Sequence, residues 1–181
     1  MKNITFLYTV KKLPFMSLPV RSTIVSVDSG IILISPGSRL TAKQLKKLGN
    51  ETDIVAPNLL HCAGVPQATE IFPNARVWGV PGAQEHLPTA KWTHLLTEDT
   101  WIYKNELPVI PIEGAPSINE VAFIHLESKS LITTDVVFNL IDPKGIGAWI
   151  ILKLFGTYKK FGISKLWLKG VTDPEAFRNS F

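Results

Sequence analysis

A chain of 181 residues that is 45% hydrophobic and 19% charged has the length and apolar content for one domain with a real core, which excludes a disordered polypeptide. Its net charge of +4 falls short of the strong basic face expected of a nucleic-acid binder, and no run approaches the ~20 apolar residues of a spanning helix. The single cysteine, Cys62, excludes an internal disulfide and fits a reducing compartment.

In chain order, the opening residues read straight into a strand without a signal-peptide pattern, so a cytoplasmic location is expected. Val20 to Val27 and Ile31 to Ser35 are β-rich runs on either side of Asp28-Ser29-Gly30, which predicts a hairpin. Leu40 to Leu48 carries apolar residues at helical spacing between Thr41 and Gly49, a short capped helix. Asp53 to Ala56 is a buried strand stopped by Pro57. A loop with Asn58 and His61 follows, then a helix from about Pro66 to Phe72.

Arg76 to Val80 is the next strand, ended by Pro81-Gly82, and the stretch from Ala83 to Thr100 is irregular or briefly helical. Three strands follow, Leu107 to Ile112, Val121 to Leu126 and Leu131 to Thr134, separated by turn-forming residues. Alternating strands and helices followed by a β-meander predict a layered α/β architecture. From Leu140 to Phe181, seven Lys/Arg stand against three acids, so the positive excess belongs to this segment. Between Lys144 and Lys169 those lysines interleave with Trp149, Phe155, Tyr158, Phe161 and Trp167, which predicts a helix pair packed by its apolar face. Thr172-Asp173-Pro174-Glu175 is a helix start.

Four stretches carry the functional signal: Leu33 to Gly37, Ala56 to Gly64, Glu113 to Ser117, and Leu131 to Phe138. In this order they resemble sequence blocks of the metallo-β-lactamase-like hydrolases. The first is similar to the family's Leu-Ile-Asp-x-Gly, with Ser35 in place of aspartate. The second is similar to His-x-His-x-Asp-His, with Ala56, Asn58 and Leu60 where ligands belong and His61 retained. The third has Ala115 where a histidine is usual. The fourth retains the acid that bridges the family's metals as Asp135, and the fifth, Gly-His-Gly, has no counterpart.

The stretches Ala56 to His61, Asn119 to His125 and Thr134 to Asn139 also resemble an uncharacterised bacterial branch of this superfamily. The resemblance runs from about Val20 to the C-terminus. It implies a four-layer αββα sandwich, one domain over residues 1–181, with the family's last strand truncated or lost.

The chemistry that a two-metal site needs is a cluster of imidazoles and carboxylates, because zinc takes several N/O ligands at ~2 Å. Alanine and leucine supply none. His61 and Asp135 are thus residual metal candidates, and Asn58, Glu113 and Glu120 are candidate ligand-binding residues. Each has an ordinary structural reading beside it. His61 is a hydrogen-bonded histidine near a helix start, and Asp135 accepts backbone N–H groups in the following turn. Glu120 is an exposed salt-bridge partner, His125 a core histidine in phase with Val121 and Phe123, and Cys62 a buried inert thiol.

The expected function is a degenerate member that binds an unknown small molecule or protein without hydrolysing it, with no cofactor and no nucleic acid. One alternative is a metal-dependent hydrolase with a divergent site, using His61, Asp135 and zinc or iron. The other is a homodimer or a weak membrane contact made through residues 144–169.

Overall fold

The structure, a computed structural model, describes residues 3–13, 16–49, 52–139 and 145–181. Met1, Lys2, Asp142 and Lys144 lie outside them. Strands β1 (Ile4–Leu13), β2 (Met16–Val27) and β3 (Gly30–Ile34) run antiparallel, and the predicted hairpin closes with Val27 opposite Gly30. From β3 onward the same sheet is parallel, through β4 (Thr52–Ala56), β5 (Val77–Gly79) and β6 (His94–Leu95). Every residue of β4 is buried, as expected of a parallel strand covered on both faces. The helices α1 (Ala42–Lys46), α2 (Val65–Ile71) and α3 (Ala83–His86) connect these strands. Thr41 caps α1 by accepting from the Gln44 backbone N–H, while the Gln44 side chain accepts from Thr41 N–H.

Strands β7 (Val109–Ile112), β8 (Glu120–His125) and β9 (Ser130–Ile132) form the predicted antiparallel meander as a second sheet. Alternation on β8 assigns its faces. Val121 and Phe123 join the main core with Leu45 of α1, Val65 of α2 and the first sheet. Ala122 faces a second core with Trp167 and Phe177. Edge-on aromatic contacts bridge the sheets, Trp78 to Trp101 at 4.9 Å and Trp101 to Phe123 at 5.9 Å between ring centres. Trp167 and Phe177 belong to α5 (Lys165–Leu168) and α6 (Pro174–Asn179), which cover the outer face of the second sheet. Helices, sheet, sheet and helices make the four layers of an αββα sandwich.

Three elements differ from the sequence expectation. Residues 83–100 hold the expected brief helix as α3, and in addition a short strand, β6. The expected helix pair is one helix, α4 (Ile146–Leu154), and the short α5, with β10 (Phe138–Asn139) paired to β11 (Phe161–Gly162) before α5. Gly156 at φ +75° turns the chain out of α4, and Ser164 then caps α5 through two backbone N–H groups. The last strand of the meander stops at Ile132, short of the expected Thr134, whose backbone N–H, with that of Asp135, bonds to the Glu120 carboxylate instead of a neighbouring strand.

Candidate functional site

The site forms where β3, β4 and β9 end and β8 begins. Leaving β4, the chain is clamped to the entry of β8 by two backbone bonds, Leu59 N–H to Ile118 O and Val121 N–H to Pro57 O, both 2.9 Å. This clamp buries Asn58 completely. Its side chain caps the following 3-10 turn (Leu59–His61), with Oδ1 accepting from the His61 backbone N–H at 2.9 Å. That bond fixes which end of the amide is oxygen. The nitrogen therefore points the other way, its two hydrogens shared among Asp135 Oδ2 at 2.8 Å, Thr134 Oγ1 at 3.1 Å and Glu120 Oε2 at 3.3 Å.

Glu120 is the hub of this network and corrects the expectation of an exposed salt-bridge partner, since it is 0% exposed. Besides Asn58 it accepts from the backbone N–H groups of Thr134 and Asp135 and from Trp167 Nε1 at 3.3 Å. A buried carboxylate must have its lone pairs filled, and here neutral donors from three segments fill them. The turn after β9 thus gives its N–H groups to Glu120, not to Asp135 as expected. Asp135 Oδ2 takes side-chain donors, Asn58 Nδ2 and His61 Nε2, the latter at 2.8 Å. Burial works against the charged form of Asp135, but the bond and charge of His61 and the Asn58 amide outweigh it, holding its pKa below the ordinary carboxylate value.

The other imidazole nitrogen of His61 meets Ser35, the residue that stands in place of the first block's aspartate. Ser35 Oγ lies 2.5 Å from His61 Nδ1. Ser35 follows β3 with φ at +54°, in the left-handed region that costs a non-glycine residue roughly 1–2 kcal/mol. Its N–H donates to Val55 O at 2.8 Å, and two residues on, Gly37 N–H donates to Ser22 Oγ at 2.9 Å. The segment after His61 is pressed onto this turn. A Cβ on Gly64 would stand 1.9 Å from the Pro36 carbonyl oxygen, so only glycine allows the approach that seats His61 against Ser35.

Ser35, His61, Thr134 and Asp135 form the polar floor of a cleft of about 650 Å³. Its walls include Phe6, Val20, Leu131, Val137 and Phe161, and Arg21 lines it as well. Arg21 rests over the Phe6 ring, 4.8 Å from its centre.

The remaining sequence candidates fall elsewhere. Glu113 is exposed on the turn before Gly114, where its backbone N–H donates to Ser180 Oγ. A Cβ on Gly114 would meet Asp173 O at 2.2 Å, so this turn serves to seat α6. Ala115 is buried in the second core, Ala56 lies within β4, and Leu60 points to solvent, 57% exposed. His125 is buried with Nδ1 2.6 Å from Ser128 Oγ, as expected of a core histidine. Cys62 is buried, and burial pushes its thiol pKa up to about 11, which makes it a poor nucleophile.

The described residues do not fit a two-metal centre. Among the described residues no three of His, Cys, Asp and Glu converge as a metal site would require. Between Glu120 and Asp135, the position suited to a cation is taken by the Asn58 N–H₂ group.

Comparison with known proteins places the architecture. No family model and no curated protein matches the chain. Among solved structures, a DIM-1 metallo-β-lactamase exposed to ceftazidime is similar at a TM-score of 0.64, with 15% identity over 98% of this chain and 92% of that one. A metallo-β-lactamase from Pontibacter korlensis is similar at 0.61, with 15% identity over 93% and 96% of the two chains. The TMB-1 structure is similar at 0.61, with 13% identity over 98% and 94%. At these identities the likeness establishes the fold.

Proposed function

We propose that this metallo-β-lactamase-fold chain belongs with the bacterial branch it resembles, has a degenerate metal motif, and binds an organic ligand or partner in its cleft without metal-assisted hydrolysis. Asn58 carries this reading. A buried amide that donates to two carboxylates and a hydroxyl satisfies groups that would otherwise be available to a cation. The rival, a zinc or iron hydrolase built on His61 and Asp135, needs a Lewis acid to generate hydroxide near neutral pH, and two protein ligands fall short of the usual three or four. A free, buried Cys62 supports a cytoplasmic setting for the protein.

The test is elemental analysis of protein purified without added metal, paired with thermal melts with and without a chelator. We expect well below one zinc or iron per chain and superimposable melts. Stoichiometric metal lost on His61→Ala, or a chelator-sensitive wild type beside an insensitive Asp135→Ala, would sink the reading.

A second reading concerns partners. On α4, Ile146, Trp149, Ile150 and Leu154 are exposed, while Ala148 and Leu152 are buried. Lys153 lies over the Trp149 ring at 4.6 Å, and Lys159, Lys160, Lys165 and Lys169 follow. Like charge opposes pairing two such faces, whereas exposed apolar side chains among lysines suit an anionic lipid surface. Flotation with vesicles of phosphatidylserine and phosphatidylcholine should show binding that weakens with salt and is lost in the Trp149→Ser, Leu154→Ser double variant. A stable dimer in sedimentation with no vesicle binding would overturn this reading.

A further inference from the structure

The hydrogen bonds on the cleft floor form a line through three residues that the sequence holds far apart. Ser35 Oγ is 2.5 Å from His61 Nδ1, and His61 Nε2 is 2.8 Å from Asp135 Oδ2. The proton positions follow from the partners. An ionised carboxylate only accepts, so Nε2 carries a hydrogen in either state of the ring, and whenever the ring is neutral Nδ1 is the acceptor facing the Ser35 hydroxyl. This is the arrangement a general base needs toward a nucleophile, with a carboxylate fixing the tautomer, and it is recognised by geometry rather than by order along the chain. The two imidazole nitrogens are used in the reverse of the familiar order, which changes neither role.

Two further observations favour a reactive serine over a merely structural one. The φ of +54° at Ser35 is a backbone strain of the kind that accumulates at functional sites, and a serine on a strained turn at a strand end is how α/β-hydrolases present theirs. Second, the line ends in a cleft. Ser35 is only 4% exposed, but with His61 it lines both the 650 Å³ cleft and a neighbouring depression of about 280 Å³, so a carbonyl group would approach from the cleft side.

We propose that Ser35 is a nucleophile for acyl transfer from esters of apolar carboxylic acids, with His61 as its base and Asp135 as the positioning residue. This goes beyond the binding role proposed above and rests on the metal-free reading of the cleft. In the first half-reaction Ser35 Oγ attacks the ester carbonyl carbon while its proton passes to His61 Nδ1. The C–O bond to the alcohol breaks, the alkoxide takes that proton, and the alcohol leaves with the acyl group on Ser35. In the second, water gives a proton to Nδ1 as its oxygen attacks the acyl carbon. The Ser35 oxygen departs with that proton, and the free acid is released. Asp135 keeps its own charge throughout and stabilises the imidazolium. The apolar walls at Phe6, Leu131 and Phe161 suit the acyl chain. Thr134, whose Oγ accepts from Asn58, has an O–H on the same floor to offer the carbonyl oxygen.

The experiment is labelling of the full-length protein with a fluorophosphonate, a serine-directed electrophile, read by intact mass and peptide mapping, with and without chelator. One adduct is expected at Ser35. It should be absent in Ser35→Ala, retained in Ser38→Ala, and formed at least tenfold more slowly in His61→Ala. Asp135→Asn should also slow labelling at least tenfold, per folded molecule as measured by circular dichroism, a rate effect that a purely structural role would not produce. In a parallel assay, p-nitrophenyl butyrate should turn over faster than the acetate. No adduct on Ser35 in folded wild type, an adduct elsewhere, or equal rates in wild type and His61→Ala would overturn the proposal. Absence of label in metal-free protein defeats this inference alone. Stoichiometric metal whose removal abolishes labelling defeats the metal-free reading beneath it, and this inference with it.

Discussion

Asp53 and Glu120 are both carboxylates buried at strand positions, yet they are satisfied by different chemistry. Asp53 lies in β4 and takes a guanidinium fork from Arg76, at 2.8 and 3.0 Å, together with Trp78 Nε1 and the Tyr103 hydroxyl. Its charge is matched by a cation in bidentate geometry, and the network closes on itself. Among the described residues Glu120 takes neutral donors only, and through Asn58 it is tied to Asp135, which also pairs with His61. The second network opens onto a cleft through Ser35 and His61; the first lines none of the clefts described. A closed network with a matched charge fastens the sheet, whereas one that ends in a histidine and a serine at a cleft has a group left to offer a ligand.

The largest expected effect that tests this contrast is Asp53→Ala. It strands a guanidinium, a tyrosine hydroxyl and an indole N–H, and should cost about 3 kcal/mol in urea unfolding, the low end for a broken buried pair, because Arg76 is 43% exposed and can turn toward water. Glu120→Ala should cost roughly 1–3 kcal/mol, since its donors are neutral. If Glu120→Ala proves costlier than Asp53→Ala, the division into a fastening network and a functional one fails.

A smaller effect separates the two by pH. The folded-state pKa of Asp135 lies below its ordinary value of 3.8, so the ionised form is favoured by folding. The stability it contributes is full above that value and is lost as pH falls through the lower folded pKa. Acid titration of unfolding free energy should show this loss below about pH 4 in the wild type and a shallower slope in Asp135→Asn. Equal slopes would mean that His61 and Asn58 do not stabilise the charge.

The smallest effect tests Cys62, which sits beside His61 and whose thiol donates to the Asn58 backbone carbonyl at 3.5 Å rather than to either carboxylate. With its thiol pushed up to about 11 by burial, it should react with iodoacetamide at pH 8 at least tenfold more slowly in folded protein than in urea. Rapid labelling of the folded protein would show that burial does not suppress the thiolate.

Local chemistry along the chain set the frame. Turn residues at Asp28-Ser29-Gly30, the Thr41 cap, the stop at Pro57, the three-strand meander and the Asp173 helix start all appear where their local chemistry puts them, because turns, caps and strand runs are set by neighbours a few residues apart. The sequence also marked Asn58, His61, Glu120 and Asp135 as residues to watch. What it left open was every relation among them. Glu120 opens its strand like a surface residue, and only the packing of Trp167 across the outer face of the second sheet, with Asn58 clamped against β8, shows it to be the buried hub. In the sequence Ser35 is a substitution that replaces a carboxylate. Its meeting with His61 depends on a left-handed backbone angle and on Gly64 closing against Pro36, contacts between segments far apart in the chain that no local pattern encodes.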